Sequence, residues 1–292
     1  MENIIFDDDF YSKLNTIKMS LSMRMSQGMS GNRKSTAKGS SVEFSDFREY
    51  MLGDDIRRID WNAYGRTDKL YIKQFMEEKE GHFRFFLDTS ASMDFGQAKK
   101  SVMALQITAA LSYVILNNLD RVFINEMKGD GLIKGKGMAG GAAFSHLLNN
   151  LKNISFEGNI HISKRISSCS VPRGGVSFIV SDFLDPEGIE GAVKYLVSRK
   201  QTVVLVQVLA REEIEVDYEG TLNMLDMETG DKVKITMSTA AVNNYNAQLE
   251  AMRTGLAELS RKYGAHYVSI ESDKNLAAVL LSDFSEILRG VA

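Results

Sequence analysis

The sequence predicts an α/β fold built on a doubly wound, mostly parallel sheet, and three observations carry that expectation. Strand-like runs at 83–87, 176–180 and 202–209 alternate with helical patterns, the arrangement that yields parallel strands through right-handed crossovers. The runs at 176–180 and 202–209 read as strands buried on both faces, as at the centre of a parallel sheet. Two of the runs stop at a carboxylate, Asp88 after the first and Asp182 after the second. In open α/β sheets, ligands bind beyond such carboxyl ends, where strand order reverses. The three strands are therefore expected side by side, with Asp88 and Asp182 together at one edge.

Composition bounds the function classes. The chain has 292 residues, 44% hydrophobic and 25% charged, which is ordinary for a globular protein. A net charge of -3 makes no general electrostatic case for nucleic acid. The one cysteine, Cys169, excludes an intrachain disulfide and a cysteine-based zinc cluster, and suits a reducing compartment. No apolar run approaches membrane-spanning length, and the N-terminus lacks a signal-peptide core, so a cytoplasmic chain without direct membrane insertion is expected.

Taken in order, residues 1–41 read as a helix at 7–25 followed by a flexible loop. Asp7, Asp8 and Asp9 favour the helix dipole, and Phe10, Leu14, Ile17 and Leu21 recur at helical spacing. The loop from 28 to 41 carries a small basic cluster, Arg33, Lys34 and Lys38. Residues 42–80 alternate charged and aromatic residues without a sustained period. They read as an ion-paired segment packed on the core, with Trp61 substantially buried. They also read as a partner-binding surface through Asp54, Asp55, Arg57, Trp61 and Arg66. The stretch 70–77 is strand-like, and Lys79-Glu80-Gly81 suggests a hairpin onto the strand at 83–87.

Residues 81–292 form the main domain. A helix is expected from about 97 to 119, then strands at 121–127 and 131–136 joined by hairpin chemistry at Lys128–Gly131. Gly135–Gly140 spells G-x-G-x-x-G, but no strong buried strand precedes it, so it reads as a glycine loop and not a dinucleotide site. Helices follow at 144–151 and 160–168, and Pro186 suits the first turn of one running to about 199. Residues 211–238 read as an exposed hairpin insertion. A helix at 240–263, a strand at 266–270 and a helix at 275–288 close the chain.

The chemistry concentrates in Asp88-Thr89-Ser90-Ala91-Ser92. A turning backbone brings the oxygens of Asp88, Ser90 and Ser92 towards one point. Hard oxygens with little charge suit Mg²⁺, which keeps some of its waters. The same letters also serve as turn and N-cap residues before a helix. An enzyme, such as a metal-dependent phosphohydrolase with Asp88 as nucleophile, is the alternative class. Against it, position 90 is serine, which leaves no second carboxylate for acid and base work, and there is no G-x-S-x-G elbow.

Lys38-Gly39, the run Glu43–Tyr50, the run Gly53–Asn62 and the run Lys69–Phe75 together resemble the signature of a bacterial family called domain of unknown function 58. The runs Asp88–Met93, Ser181-Asp182-Phe183 and Asp226-Met227-Glu228-Thr229-Gly230 are similar to its later motifs. The resemblance implies a von Willebrand factor A-like domain with a metal-ion-dependent adhesion site, and a non-enzymatic role beside a MoxR-type AAA+ ATPase in assembly or maturation of other complexes. It implies Mg²⁺, with Mn²⁺ or Ca²⁺ as alternatives, held by Asp88, Ser90 and Ser92, with Asp182 acting through water. The family's threonine ligand is missing here. Asn159 or His161 are the substitutes in the corresponding loop. A scaffold with a vestigial site is the remaining reading.

Overall fold

The computed structural model describes residues 5–26, 42–77, 80–129, 131–185, 188–216, 220–225, 232–285 and 287. In chain order the elements are α1 (Asp8–Ser26), β1 (Val42–Glu49), α2 (Trp61–Thr67), β2 (Tyr71–Glu77), β3 (His82–Asp88), α3 (Lys100–Asn117), β4 (Arg121–Lys128), β5 (Gly131–Lys134), β6 (Met138–Ala139) and α4 (Phe144–Lys152). There follow α5 (Ile162–Ser167), β7 (Val176–Ser181), α6 (Glu190–Ser198), β8 (Thr202–Leu209), α7 (Arg211–Ile214), β9 (Gly220–Leu225), β10 (Lys232–Met237), α8 (Thr239–Tyr263), β11 (His266–Glu271) and α9 (Leu276–Ser282). The chain divides into two compact units, one of Met1–Gln27 with Gly81–Ala292 and one of Gly28–Glu80.

The larger unit is a mixed α/β domain with a mostly parallel sheet in the order β11-β8-β7-β3-β4-β5, and β6 also pairs with β4. The strands β11, β8, β7, β3 and β4 run parallel, while β5 and β6 lie antiparallel on β4. Alternation along each strand feeds two cores. Phe85, Leu87, Phe178, Val180, Val204 and Val206 join α1, α3, α4 and α9 residues such as Phe10, Leu14, Leu111, Leu147 and Val279. Phe86, Ile179 and Leu205 face the other way, to Ile166 of α5, Val193 of α6 and Leu256 of α8. The sheet is therefore covered on both sides, as the apolar runs predict. The rings of Phe85 and Phe178 stack across β3 and β7 at 4.6 Å.

The chain leaves β3 through α3 to reach β4 on one side, and later returns to place β7 on the other. The strand order thus reverses between β3 and β7. Helix α3 is long and apolar enough to cross a membrane by length and composition, contrary to the expectation that no run is. It lies 78% buried inside the fold, where the same composition serves a core helix. Gly135, from the glycine loop, passes so close to β4 that a Cβ would run into the Ile124 carbonyl oxygen. That close approach accounts for this glycine. The Asp226–Gly230 motif, the basic cluster at 33–38 and Pro186 lie outside the described residues.

In the smaller unit β1 and β2 pair antiparallel, with Glu49 opposite Tyr71 and an irregularity between Phe44 and Asp46. The expected hairpin between 70–77 and the key strand does not form. Strand β3 already has β4 on one edge and β7 on the other, so it has no edge to offer. The dense charge of the segment is spent on local turns. Asp54 accepts from Arg48 and from the Met51 N–H, each at 2.8 Å. Asp55 accepts from the Arg57 N–H at 3.0 Å. Asp60 caps α2 at Asn62 and Ala63 and pairs with Lys73. Trp61 is 64% exposed, against the expectation of burial. It is the first residue of a seven-residue helix and packs edge-on against Tyr64 at 6.3 Å.

Candidate functional site

The switch point between β3 and β7 brings together the side chains of Asp88, Ser90 and Ser92, as read from the sequence, and adds Ser181. In-register pairing sets Leu87 beside Val180, so the residues after them, Asp88 and Ser181, emerge together. Asp88 Oδ1 accepts from the Ser90 N–H at 2.9 Å and from the Ser90 hydroxyl at 2.6 Å. Asp88 Oδ2 accepts from Ser181 Oγ at 2.6 Å. The hydroxyls of Ser90 and Ser92 lie 3.0 Å apart. Asp88 and Ser90 are buried and Ser92 is half-buried, so Ser92 is the member of the trio nearest to solvent.

Asp88 is not a helix cap. Its carboxylate closes a tight turn onto Ser90, and a short 3-10 turn at Ala91–Asp94 intervenes before α3. That turn is held by neighbours. Thr89 donates both its N–H and its hydroxyl to the Met127 carbonyl, and Ala91 N–H reaches the Gly158 carbonyl at 2.9 Å. Glu157 N–H reaches the Thr89 carbonyl at 2.9 Å. The 157–161 loop therefore gives backbone support to the turn. Asn159 is exposed, and His161 lies 3.5 Å from Asp185.

Asp182 lies beside the trio but is held differently. Its Oδ2 accepts from Lys100 Nζ at 2.8 Å and its Oδ1 from the Leu184 N–H at 3.1 Å. Its own carbonyl accepts from Gln207 of β8 at 3.0 Å. Lys100 is fully buried and also pairs with Glu213 of α7 at 2.5 Å. Neither Lys100 nor Glu213 was read from the sequence as part of the site, and nor was the donor role of Ser181. Lys100 did leave one signal. It lies on the helical stripe of Ala104, Ile107 and Leu111, all buried, where a lysine requires a partner.

Electrostatics separate the two aspartates. Burial raises the Asp88 carboxyl, and the charge of Asp182 raises it further, to about 6, against the lowering effect of its hydrogen bonds from Ser181 and Ser90. Its direct partners are neutral, so negative charge at Asp88 is under-compensated. Among the described residues no three His, Cys, Asp or Glu side chains are grouped to hold a metal ion. A cation here would rest on one carboxylate and two hydroxyls. These are hard oxygens of the kind Mg²⁺ takes, and the shortage of positive charge at Asp88 fits a cation.

The buried carboxylate and hydroxyls thus lie at the switch point of a doubly wound sheet, the place where open α/β sheets bind their ligands. The chain belongs to the family described as protein of unknown function DUF58, whose model matches residues 46–255. It is 24% identical to an uncharacterized protein of Mycobacterium tuberculosis over 303 aligned positions, covering 98% of this chain and 92% of that one. Among solved structures it is similar to the conserved hypothetical protein BatB from Bacteroides thetaiotaomicron, at 13% identity and TM-score 0.45, over 72% of this chain and 99% of that one. It is also similar to the SpRpn10 VWA domain, at 10% identity and TM-score 0.37, over 70% of this chain and 94% of that one.

Proposed function

We propose that this chain is a non-enzymatic protein-binding module whose contact point is a divalent cation at Asp88, Ser90 and Ser92. Asp182 stands behind these ligands, and a carboxylate from the partner completes the coordination. Mg²⁺ is the ion this donor set suits best. The observation that carries the reading is the state of Asp88: a buried carboxylate at the switch point, with neutral donors and a carboxyl raised to about 6. A cation held by so little protein charge binds weakly alone, so a partner carboxylate and the ion strengthen each other reciprocally. The partner the family resemblance suggests is a MoxR-type AAA+ ATPase. In the smaller unit, Trp61 is exposed and the side chains of Arg57 and Arg66 form no ion pair among the described residues, which suits them to a second contact.

The test is Asp88→Ala, measured for Mg²⁺-dependent association with the MoxR-type ATPase of the same host and for thermal stability, with EDTA-treated wild type alongside. Association is expected to vanish in the variant and in EDTA, while the circular dichroism spectrum is retained. A variant that still associates normally, whatever its melting temperature, removes the cation from the reading.

A further inference from the structure

Lys100 balances two carboxylates, and one of them, Asp182, stands beside the candidate cation site. Its side chain is entirely buried at the first position of α3, although lysine is almost never fully buried unless paired. Its ammonium bridges Asp182 of the β7 end, at 2.8 Å, and Glu213 beyond the β8 end, at 2.5 Å. The Phe95 ring lies beneath it, 5.8 Å away at the centroid. Both carboxylates are anchored independently of Lys100. Glu213 takes the Ala210 N–H at 2.7 Å, and its carbonyl takes the Tyr245 hydroxyl of α8 at 2.9 Å. Asp182 takes the Leu184 N–H, and the next residue, Phe183, is turned into the left-handed region at φ +59°.

Both oxygens of Asp182 are therefore occupied by donors of this chain, one of them a full positive charge. A carboxylate in that state has little to give a second cation. Asp88, beside it, has only neutral partners.

We propose that Lys100 is a resident cation that withholds Asp182 from a divalent ion at Asp88, and so keeps the intrinsic affinity of the site low. In this role Lys100 is a positioning residue acting through Asp182. The proposal rests on the cation-site reading above, and it makes the partner's carboxylate necessary, because the chain's own second carboxylate is already taken.

The experiment uses the full chain, stripped of metal. Two charge-balanced double variants, Lys100→Gln with Glu213→Gln and Lys100→Met with Glu213→Gln, each remove one positive and one negative charge. The glutamine pair keeps amide donors near Asp182 and is the one read if the methionine pair does not fold, as judged by circular dichroism. MgCl₂ is titrated calorimetrically, and its effect on the melting temperature is recorded. The double variants are expected to bind Mg²⁺ at least tenfold more tightly than wild type. Adding Asp182→Asn should erase that gain, and Lys100→Arg should stay at the wild-type affinity. Wild type and double variants binding Mg²⁺ equally, with both losing it on Asp88→Ala, would overturn the role of Lys100 and leave the cation site standing. Failure of all variants to bind Mg²⁺, or binding that survives Asp88→Ala, overturns the site reading and this proposal together.

Discussion

Asp88 ends β3 and Asp182 directly follows the neighbouring β7; both are buried and lie within electrostatic reach of one another, yet they are stabilised by opposite means. Asp88 has two serine hydroxyls and one backbone N–H. Asp182 has a buried ammonium that it shares with Glu213. Taking a carboxylate out of water costs several kcal/mol unless charge or hydrogen bonds offset it. Hydroxyls offset part of that cost and leave the group receptive to a cation or a proton. A lysine offsets more of it and closes the group to newcomers. One edge of one sheet thus holds an open carboxylate and a locked one. Asp88 finds Ser90 two residues on and Ser181 93 residues away, while the ammonium that holds Asp182 comes from 82 residues away.

The comparison breaks most sharply at the locked side. Lys100→Met alone leaves Asp182 and Glu213 buried without their cation. It is expected to cost about 3–5 kcal/mol, the usual penalty for removing one partner of a buried pair. Urea denaturation at neutral pH reads this directly. A loss under about 1 kcal/mol would mean that the two carboxylates are solvated or protonated, and that the lock is not one.

At the open side the expected effect depends on pH. The Asp88 carboxyl is raised from 3.8 to about 6 in the fold. Between those values the folded chain holds a proton that the unfolded chain has released, so stability falls as pH rises through the window. Asp88→Asn has no such titration. The stability of the variant relative to wild type should therefore improve from pH 4 to pH 7, by up to about 3 kcal/mol for a shift of this size. Denaturation curves of both proteins across that range provide the measurement. A flat difference would show that Asp88 titrates normally and that its hydrogen bonds offset burial and the charge of Asp182.

The smallest effect belongs to Ser92, which is half-buried and whose hydroxyl lies against that of Ser90. Ser92→Ala should change stability by no more than about 0.5 kcal/mol, as for a surface substitution. If it destabilises by more than about 1 kcal/mol in the same denaturation series, the hydroxyl chain is a structural element and the open side is less open than Asp88 suggests.

Local rules made much of this protein legible without a fold. The strands at 83–87, 176–180 and 202–209 announce themselves because a strand buried on both faces needs a continuous apolar run, and β3, β7 and β8 are indeed parallel neighbours. Asp88, Ser90 and Ser92 could be read as one cluster because five residues of turning backbone suffice to bring them together. What failed to show depends on chain segments that meet only after folding. The stretch at 71–77 joins β1 because β3 has both edges filled, a fact of strand order that 70–77 does not encode. Trp61 lies open because the turns around it are closed by carboxylates and not by the indole. Ser181 meets Asp88 from 93 residues away. Lys100 meets Asp182 and Glu213 across 82 and 113 residues. In one dimension a lysine on an apolar helical stripe is an anomaly without a cause. The sheet supplies the cause by bringing two strand ends beside the start of α3, where burial makes their charges demand a counter-charge.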